Sequence, residues 1–394
     1  MPWKVAKPLD LKLEFIVRLQ RGERIGDLCR EYGIARKTGH KLANRYVELG
    51  AIGLEEQSKA PKHTPHKTRP EIVDLVLKEK RAHPTWGPRK LKVVLEQRLG
   101  HAMPAASTLG EILGRAGLVE KRQRRPWQPT KPTKLRTAAE PNDIWCIDYK
   151  GQFRLGDRSY CYPLTVTDQY SRYLLGCEGM SAISDEAARE ACEEIFRRNG
   201  LPEAIRSDNG APFASTGLAG LTKLSVYWLR LGIALDRIRP SHPEENGRHE
   251  RMHRTLKRET TRPAYANLLQ QQERFDAFVE EYNWRRPHEA LAMRTPAAVY
   301  TPSPRLYPAR LPELRYPMHD DVLQVSKHGY VRLRQRVHIY ISTALAYQDI
   351  GIRELDDGRW LLSFASLDLG YIDGRRFTAP SIPPEADVLP MLPV

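Results

Sequence analysis

The stretch RPSHPEENGRHERMHRTLK, residues 239–257, constrains this chain more than any other. Pro240 and Pro243 hold the backbone out of a helix until Glu245 has passed. From Asn246 the apolar and polar spacing is helical, and Gly247 is tolerated near the start. Glu250, Arg254 and Lys257 fall at i, i+4 and i+7, so they share one face. A carboxylate above two cations on one stripe is odd for a plain surface helix. It suits a carboxylate that holds a metal and cations that hold a phosphate backbone.

Two other acids belong with it. Asp148 lies in DIWCIDY (143–149), an alternating apolar run that reads as a buried strand. Asp208 lies in AIRSDNG (204–210), where a short strand ends in an Asp-Asn-Gly turn. An acid in an apolar strand is costly to bury unless it is paired or metal-bound. Two strand acids and one helix acid suit a divalent-cation site, because carboxylates are hard oxygen ligands.

With these stretches go LTVTDQYSRYLLG (164–176), RSDNGAPF (206–213), HPEENGRHERMHRTLKRE (242–259), and YNWRRPHEAL followed by TPAAVY (282–300). In this order they resemble the retroviral-integrase-like DDE transposases, and more narrowly the IS481 group of bacterial insertion sequences. The resemblance implies that Asp148, Asp208 and Glu250 are the catalytic, metal-holding acids. Glu244 and Glu245 are set aside, because the family's glutamate follows the Asn-Gly pair by three residues. Arg254 and Lys257 fall where the family's helix touches DNA. The gap between Asp208 and Glu250 is longer than in retroviral integrases. The extra residues, STGLAGLTKLSVY from Ser215 to Tyr227, read as an inserted loop and helix.

The resemblance further implies a metal-dependent polynucleotidyl transferase. Two Mg²⁺ ions per site, with Mn²⁺ able to substitute, would support 3′-end cleavage at an insertion-sequence end and then strand transfer into target DNA. Two ends must be brought together, which implies a homo-oligomer on DNA. The implied core is RNase H-like, where pattern alone yields only an α/β class. A helix-turn-helix regulator with an inactive nuclease core is the rival reading; the presence of all three acids argues against it. A nuclease acting on RNA–DNA hybrids is a second rival, disfavoured by the tandem helical units described next.

At 394 residues the chain should hold two to four domains. Its net charge of +15 favours a polyanion, with double-stranded DNA the expected partner and no small-molecule substrate. Five cysteines without a CxxC pair read as reduced core thiols. No zinc module, secretory leader or membrane span is read, so a cytoplasmic, nucleoid-associated protein without a membrane partner is expected.

The expected architecture is multidomain α+β. Residues 1–54 read as a helix-turn-helix, with Arg36, Lys37, Thr38, His40, Lys41 and Arg45 on a basic third helix and Leu42 and Tyr46 facing inward. Residues 55–70 read as a linker and 69–120 as a second, winged helix-turn-helix. Residues 121–139 are a basic linker whose Arg124 and Arg125 should meet phosphates. The RNase H-like core spans 140–300. Residues 305–394 read as a small antiparallel barrel with Lys327, His328, Arg332, Arg334 and Arg336 on a basic face. Within the core, Asp168 is expected to cap a turn and orient Ser171 and Arg172. Asp143 and Asp236 are expected at the surface or in turns. His242, His249 and His253 should contact phosphate or substrate, and Asn209 and Asn246 should bridge the site.

Overall fold

The computed structural model describes residues 8–56, 67–119, 135–239, 242–333, 338–373 and 376–378. Of the expected linkers 55–70 and 121–139, residues 57–66 and 121–134, with Arg124 and Arg125, lie outside the described residues, as do Arg334 and Arg336. The chain divides into two compact units, Met1–Arg69 and Pro70–Val394. No helix among the described residues is long and apolar enough to cross a membrane.

The first unit holds α1 (Pro8–Gln20), α2 (Ile25–Glu31) and α3 (Arg36–Leu49), followed by a 3-10 turn at Gly50–Leu54. Phe15, Ile16, Leu28, Cys29 and Leu54 form its core, and Leu42 and Tyr46 pack on it as expected. Gly39 is the point of closest approach of α3 to the other helices. A Cβ there would collide with Cys29 Sγ and lie 3.1 Å from the Phe15 ring.

The second unit opens with α4 (Pro70–Ala82), α5 (Pro88–Leu99) and α6 (Ala106–Arg115) around Val76, Trp86, Leu91, Leu95, Leu109 and Leu113. Pro88 sits in the first turn of α5, where a missing N–H costs nothing, and Gly100 ends that helix at φ 70°.

A mixed sheet follows. Its strands are β1 (Ile144–Tyr149), β2 (Phe153–Arg154), β3 (Tyr160–Asp168), β4 (Leu174–Met180), β5 (Ala204–Ser207) and β6 (Ala234–Arg237). The order is β4-β3-β1-β5-β6, with β2 beside the start of β3. Strands β1, β3 and β4 are antiparallel, and β1, β5 and β6 are parallel. Parallel neighbours need crossovers. Helix α7 (Asp185–Asn199) leads to β5 and α8 (Lys223–Arg230) to β6. Ser184 caps α7 by accepting from the Ala187 N–H at 3.1 Å, and Gly200 ends it at φ 76°.

Side chains alternate across this sheet. Trp145, Ile147, Leu164 and Val166 pack with α7 and α8. The opposite face, with Cys161 and Cys177, packs against α9 (Gly247–Thr260) and α10 (Leu268–Glu280) through Met252, Leu256, Phe275 and Phe278. Asp148 pairs with Thr165 in register and therefore shares the α9 face. Edge strand β4 is covered by amide side chains. Gln272 bonds Gly179 N at 2.8 Å and Cys177 O at 3.0 Å, and Asn283 bonds Leu174 N at 2.8 Å and Leu174 O at 2.9 Å. Asn283 sits in a π-helical turn, Glu281–Arg285, that continues α10. This satisfies backbone groups that an open edge would leave exposed.

The C-terminal strands are β7 (Asp321–Gln324), β8 (Tyr330–Arg332), β9 (His338–Tyr340), β10 (Asp349–Glu354), β11 (Trp360–Phe364), β12 (Leu367–Asp373) and β13 (Arg376–Thr378). Here the expectation of a barrel is corrected. Among the described residues the strands form an open five-stranded sheet, β13-β12-β11-β10-β7, and a separate β8-β9 hairpin. Among the described residues the end strands β7 and β13 share no ladder, so the sheet is open. Lys327, His328 and Arg332 are exposed on it.

The inserted segment explains how this sheet is held. Helix α8 is buried all round: Leu224, Tyr227 and Trp228 join the core of the mixed sheet, whereas Val226 and Leu229, with Leu221 before the helix, join the core of the C-terminal sheet. Thr222 and Ser225 form a capping box at its start.

Candidate active site

Asp148 stands near the end of β1, half-buried on the face covered by α9. Asp208 follows β5, where the strand gives way to a turn. Its Oδ1 accepts from the Gly210 N–H at 3.1 Å, and Asn209 Nδ2 donates to the Ile238 carbonyl at 2.6 Å. That second bond ties the Asp208 turn to the segment leaving β6. Asn246 ends the 3-10 turn before α9, and its buried Oδ1 has no hydrogen-bond partner. Asn209 thus makes a bridging bond, whereas Asn246 Oδ1 makes none among the described residues.

Helix α9 is amphipathic in a way that sets Glu250. His249, Met252, His253, Leu256 and Thr260 are buried, whereas Glu250, Arg254 and Lys257 are exposed on one stripe. The two histidines are buried, not presented to phosphate or substrate as expected. Thr165 and Thr167 on β3 hold them instead. His249 lies 2.8 Å from Thr165 Oγ1 through Nε2 and 2.7 Å from Thr167 Oγ1 through Nδ1. His253 Nε2 lies 2.6 Å from Thr165 Oγ1. The Thr165 hydroxyl has one proton, which it donates to the Asp148 carbonyl at 3.1 Å. The assignment that satisfies all these bonds has both rings donating from Nε2. His253 Nδ1 is then a bare lone pair, 3.7 Å from Asp148 Oδ2.

Two acceptors facing each other repel unless a proton or a cation lies between them. The donor atoms of Asp148, His249 and His253 all lie within 4.8 Å of one another. His249 is saturated by its threonines, which leaves Asp148 and His253 Nδ1 to face a ligand. Asp208 and Glu250 act on Asp148 through their charge. Burial first, then Asp208, with a smaller contribution from Glu250, push the Asp148 carboxyl up to about 7. Burial also pushes His249 down to about 3 and His253 lower still, so both rings are neutral. Asp208 and Glu250 are not members of that donor group and reach Asp148 through charge alone. A carboxylate facing a neutral nitrogen suits a divalent ion, which would stabilise the ionised carboxylate.

The remaining acids behave unequally. Asp168 is a turn cap, as expected: Oδ1 accepts from Asn142 N at 2.8 Å, and Oδ2 accepts from Ser171 N at 2.7 Å and Ser171 Oγ at 2.6 Å. Asp143 accepts from Ala139 N at 2.7 Å in a turn. Asp236 is corrected, because it is no surface residue. It forms an ion pair with buried Arg206 at 2.6 Å across β5 and β6. In the first unit, Arg36, Lys37, Thr38, His40 and Lys41 are exposed on α3, but Arg45 is half-buried with Nε and Nη2 unbonded.

The threonine–histidine network was missed by sequence reasoning. The signal was present as His249 and His253, four apart around Glu250, facing Thr165 and Thr167, two apart on a strand. Those are the same-face spacings of a helix and a strand.

Residues 138–243 and residues 231–296 each match the integrase core domain family. The chain is 31% identical over 177 residues to the Gag-Pol polyprotein of baboon endogenous virus (strain M7), covering 45% of this chain but 10% of that polyprotein. It is 26% identical over 260 residues to the insertion element IS407 uncharacterized 31.7 kDa protein of Burkholderia multivorans, covering 65% of this chain and 88% of that protein. Among solved structures, the HTLV-2 integrase catalytic core domain in complex with magnesium is 15% identical, covering 42% of this chain and 100% of that one, with a TM-score of 0.34. The simian T-cell lymphotropic virus intasome structure is 18% identical, covering 77% of this chain and 99% of that one, with a TM-score of 0.38.

Proposed function

We propose that this chain, which belongs to the retroviral-integrase-like superfamily as a transposase of the insertion-sequence type, cleaves 3′ ends at its element's termini and joins them to target DNA. The observation that carries the reading is Asp148. It is a half-buried carboxyl raised first by burial and then by the Asp208 charge, with a smaller push from Glu250, and the lone pair of His253 lies opposite. Such a cluster is unfavourable for a protein to keep unless a cation serves it.

Asp148, Asp208 and Glu250 would hold two Mg²⁺ or Mn²⁺ ions, with His253 Nδ1 as a further donor beside Asp148. Bound divalent ions lower the pKa of an attacking water or 3′-hydroxyl and stabilise a leaving oxygen. The chain's own residues position and neutralise. Thr165 and Thr167 lock the two histidines and so fix the height of α9 over β1. The Gly210 N–H orients Asp208. Arg254 and Lys257 extend from the Glu250 stripe to neutralise phosphates. The α3 cations Arg36, Lys37, His40 and Lys41, with Thr38 and Arg45, would read the element end as a helix-turn-helix, and Arg124 and Arg125 would meet phosphates between the binding units. Joining two ends calls for more than one copy on the DNA. The five free, buried cysteines agree with a reducing cytoplasm.

The test is an assay on DNA carrying the ends of the element that encodes the chain. Wild type should cleave and join with Mg²⁺ or Mn²⁺, and Asp208→Asn should do neither while still binding. Binding by wild type with no cleavage in either metal would favour a DNA-binding regulator with a dead core.

A further inference from the structure

A cavity of about 490 Å³ lies where α5 and the β3–β4 turn meet α9 and the stretch 282–290 after α10. Its walls carry Lys90, Arg172, Arg248, Arg251 and Arg286 against one carboxylate, Glu289. The nearby acids are already engaged. Glu289 pairs with Arg89 at 3.5 Å, and Glu259 with Arg286 at 2.8 Å. Among the described residues Lys90, Arg172, Arg248 and Arg251 have no carboxylate within ion-pair distance. The cavity is therefore a concentration of positive charge that the protein does not neutralise.

The crowding has consequences. Burial, then the Arg286 charge, push the Lys90 amine down to about 8. Burial, then Arg248, push Arg172 down to about 10. His288 also lines the cavity, and its buried Nε2 has no hydrogen-bond partner in the protein. Like charges held together at partly buried positions cost stability unless an anion joins them.

The cavity is separate from the acid cluster. Arg248, Arg251 and Thr255 share a stripe of α9 about 100–160° around the helix from Glu250. Helix α9 thus turns Glu250, with Arg254 and Lys257, to one flank and Arg248 and Arg251 to the other. The cationic flank is closed by the α4–α6 helices, docked through His83 to Glu281 at 2.9 Å and through Thr85 to Glu259.

We propose that this cavity is a phosphodiester-binding site that grips the DNA backbone behind the catalytic helix, clamped between the α4–α6 helices and the core. Forked guanidinium groups match phosphate oxygens bidentately, and the lysine adds a point charge. The inference rests on the reading of the chain as a DNA-joining enzyme. It adds that the strand is held at a second place, by groups that take no part in chemistry.

The test is the salt dependence of DNA binding, read by anisotropy of a labelled duplex carrying an element end, without divalent metal. Each phosphate contact contributes about 0.9 to the slope of log affinity against log salt. The Lys90→Gln/Arg251→Gln double variant should lose about 2 from that slope and keep a cooperative melt. Glu289→Gln, which removes the cavity's one carboxylate, should bind more tightly than wild type, an effect misfolding does not produce. If the double variant does not fold, Glu289→Gln decides: tighter binding supports the site and unchanged binding overturns it. A folded double variant with the wild-type slope overturns it. So does one that loses only self-association, which would assign the cavity to an acidic segment of a second copy. Wild type binding no DNA at all overturns both this site and the function it rests on, whereas the other failures leave that function standing.

Discussion

His253 faces Asp148 with a lone pair, and that single contact makes the most specific demand on the proposed active-site chemistry. Nitrogen donors favour Mn²⁺ over Mg²⁺, which prefers oxygen. His253→Ala should therefore lower cleavage about 10–100-fold, narrow the advantage of Mn²⁺ over Mg²⁺, and leave DNA affinity unchanged. A metal titration of cleavage beside a binding curve checks it, and an unaltered Mn²⁺/Mg²⁺ ratio would count against a ligand role. Arg206 and Asp236 make a different kind of claim. They are bonded at 2.6 Å inside the sheet, and Arg206 also donates to the Arg136 carbonyl at 2.6 Å. Asp236→Ala leaves a buried guanidinium without its counter-charge and should cost about 3–5 kcal/mol, measured as a lower urea midpoint. The sequence offered no sign of this pair. Two residues on strands thirty positions apart become neighbours only when β5 and β6 align.

At the scale of elements, α8 shows what an insertion can be for. As a sequence, Ser215 to Tyr227 is an interruption between two acids. In the fold its helix is the wedge between two hydrophobic cores. Leu229→Ala should cost about 2–5 kcal/mol by opening a cavity on the C-terminal side, while the mixed sheet keeps its own contacts through Leu224 and Trp228. Limited proteolysis should then cut first in the segment 301–320, which joins core to sheet; unchanged protection there would mean α8 does not hold the sheet. The stretch YNWRRPHEAL is likewise reinterpreted. Asn283 seals the edge of β4, and Arg286 ties the end of α9 to the α4–α6 helices.

For the whole molecule, the net charge of +15 is spread over surfaces on α3, on both flanks of α9 and on the C-terminal sheet. DNA binding should weaken steeply with salt. Chelating divalent metal should abolish cleavage and joining yet leave binding in place, because the cations, not the metal, supply most of the affinity. Gel shifts with and without EDTA distinguish the two. Loss of binding on chelation would mean that the metal organises the DNA site itself.

The helical stripe of Glu250, Arg254 and Lys257, the turn capped by Asp168 and the crossover helices were all legible in the sequence, because each is a local matter of spacing and capping. The mixed sheet's class followed from strand and helix alternation. The openness of the C-terminal sheet was not legible. Hairpin signals specify neighbours in the chain, whereas closure depends on whether the first and last strands meet. Nor could the sequence reveal that His249 and His253 are buried, because a polar residue beside a catalytic acid reads as exposed until a pair of strand threonines is brought beneath it. The cationic cavity on the far flank of α9 is tertiary in the same sense. Its cations come from four separate stretches of chain, and only packing the α4–α6 helices against the core gathers them into one field.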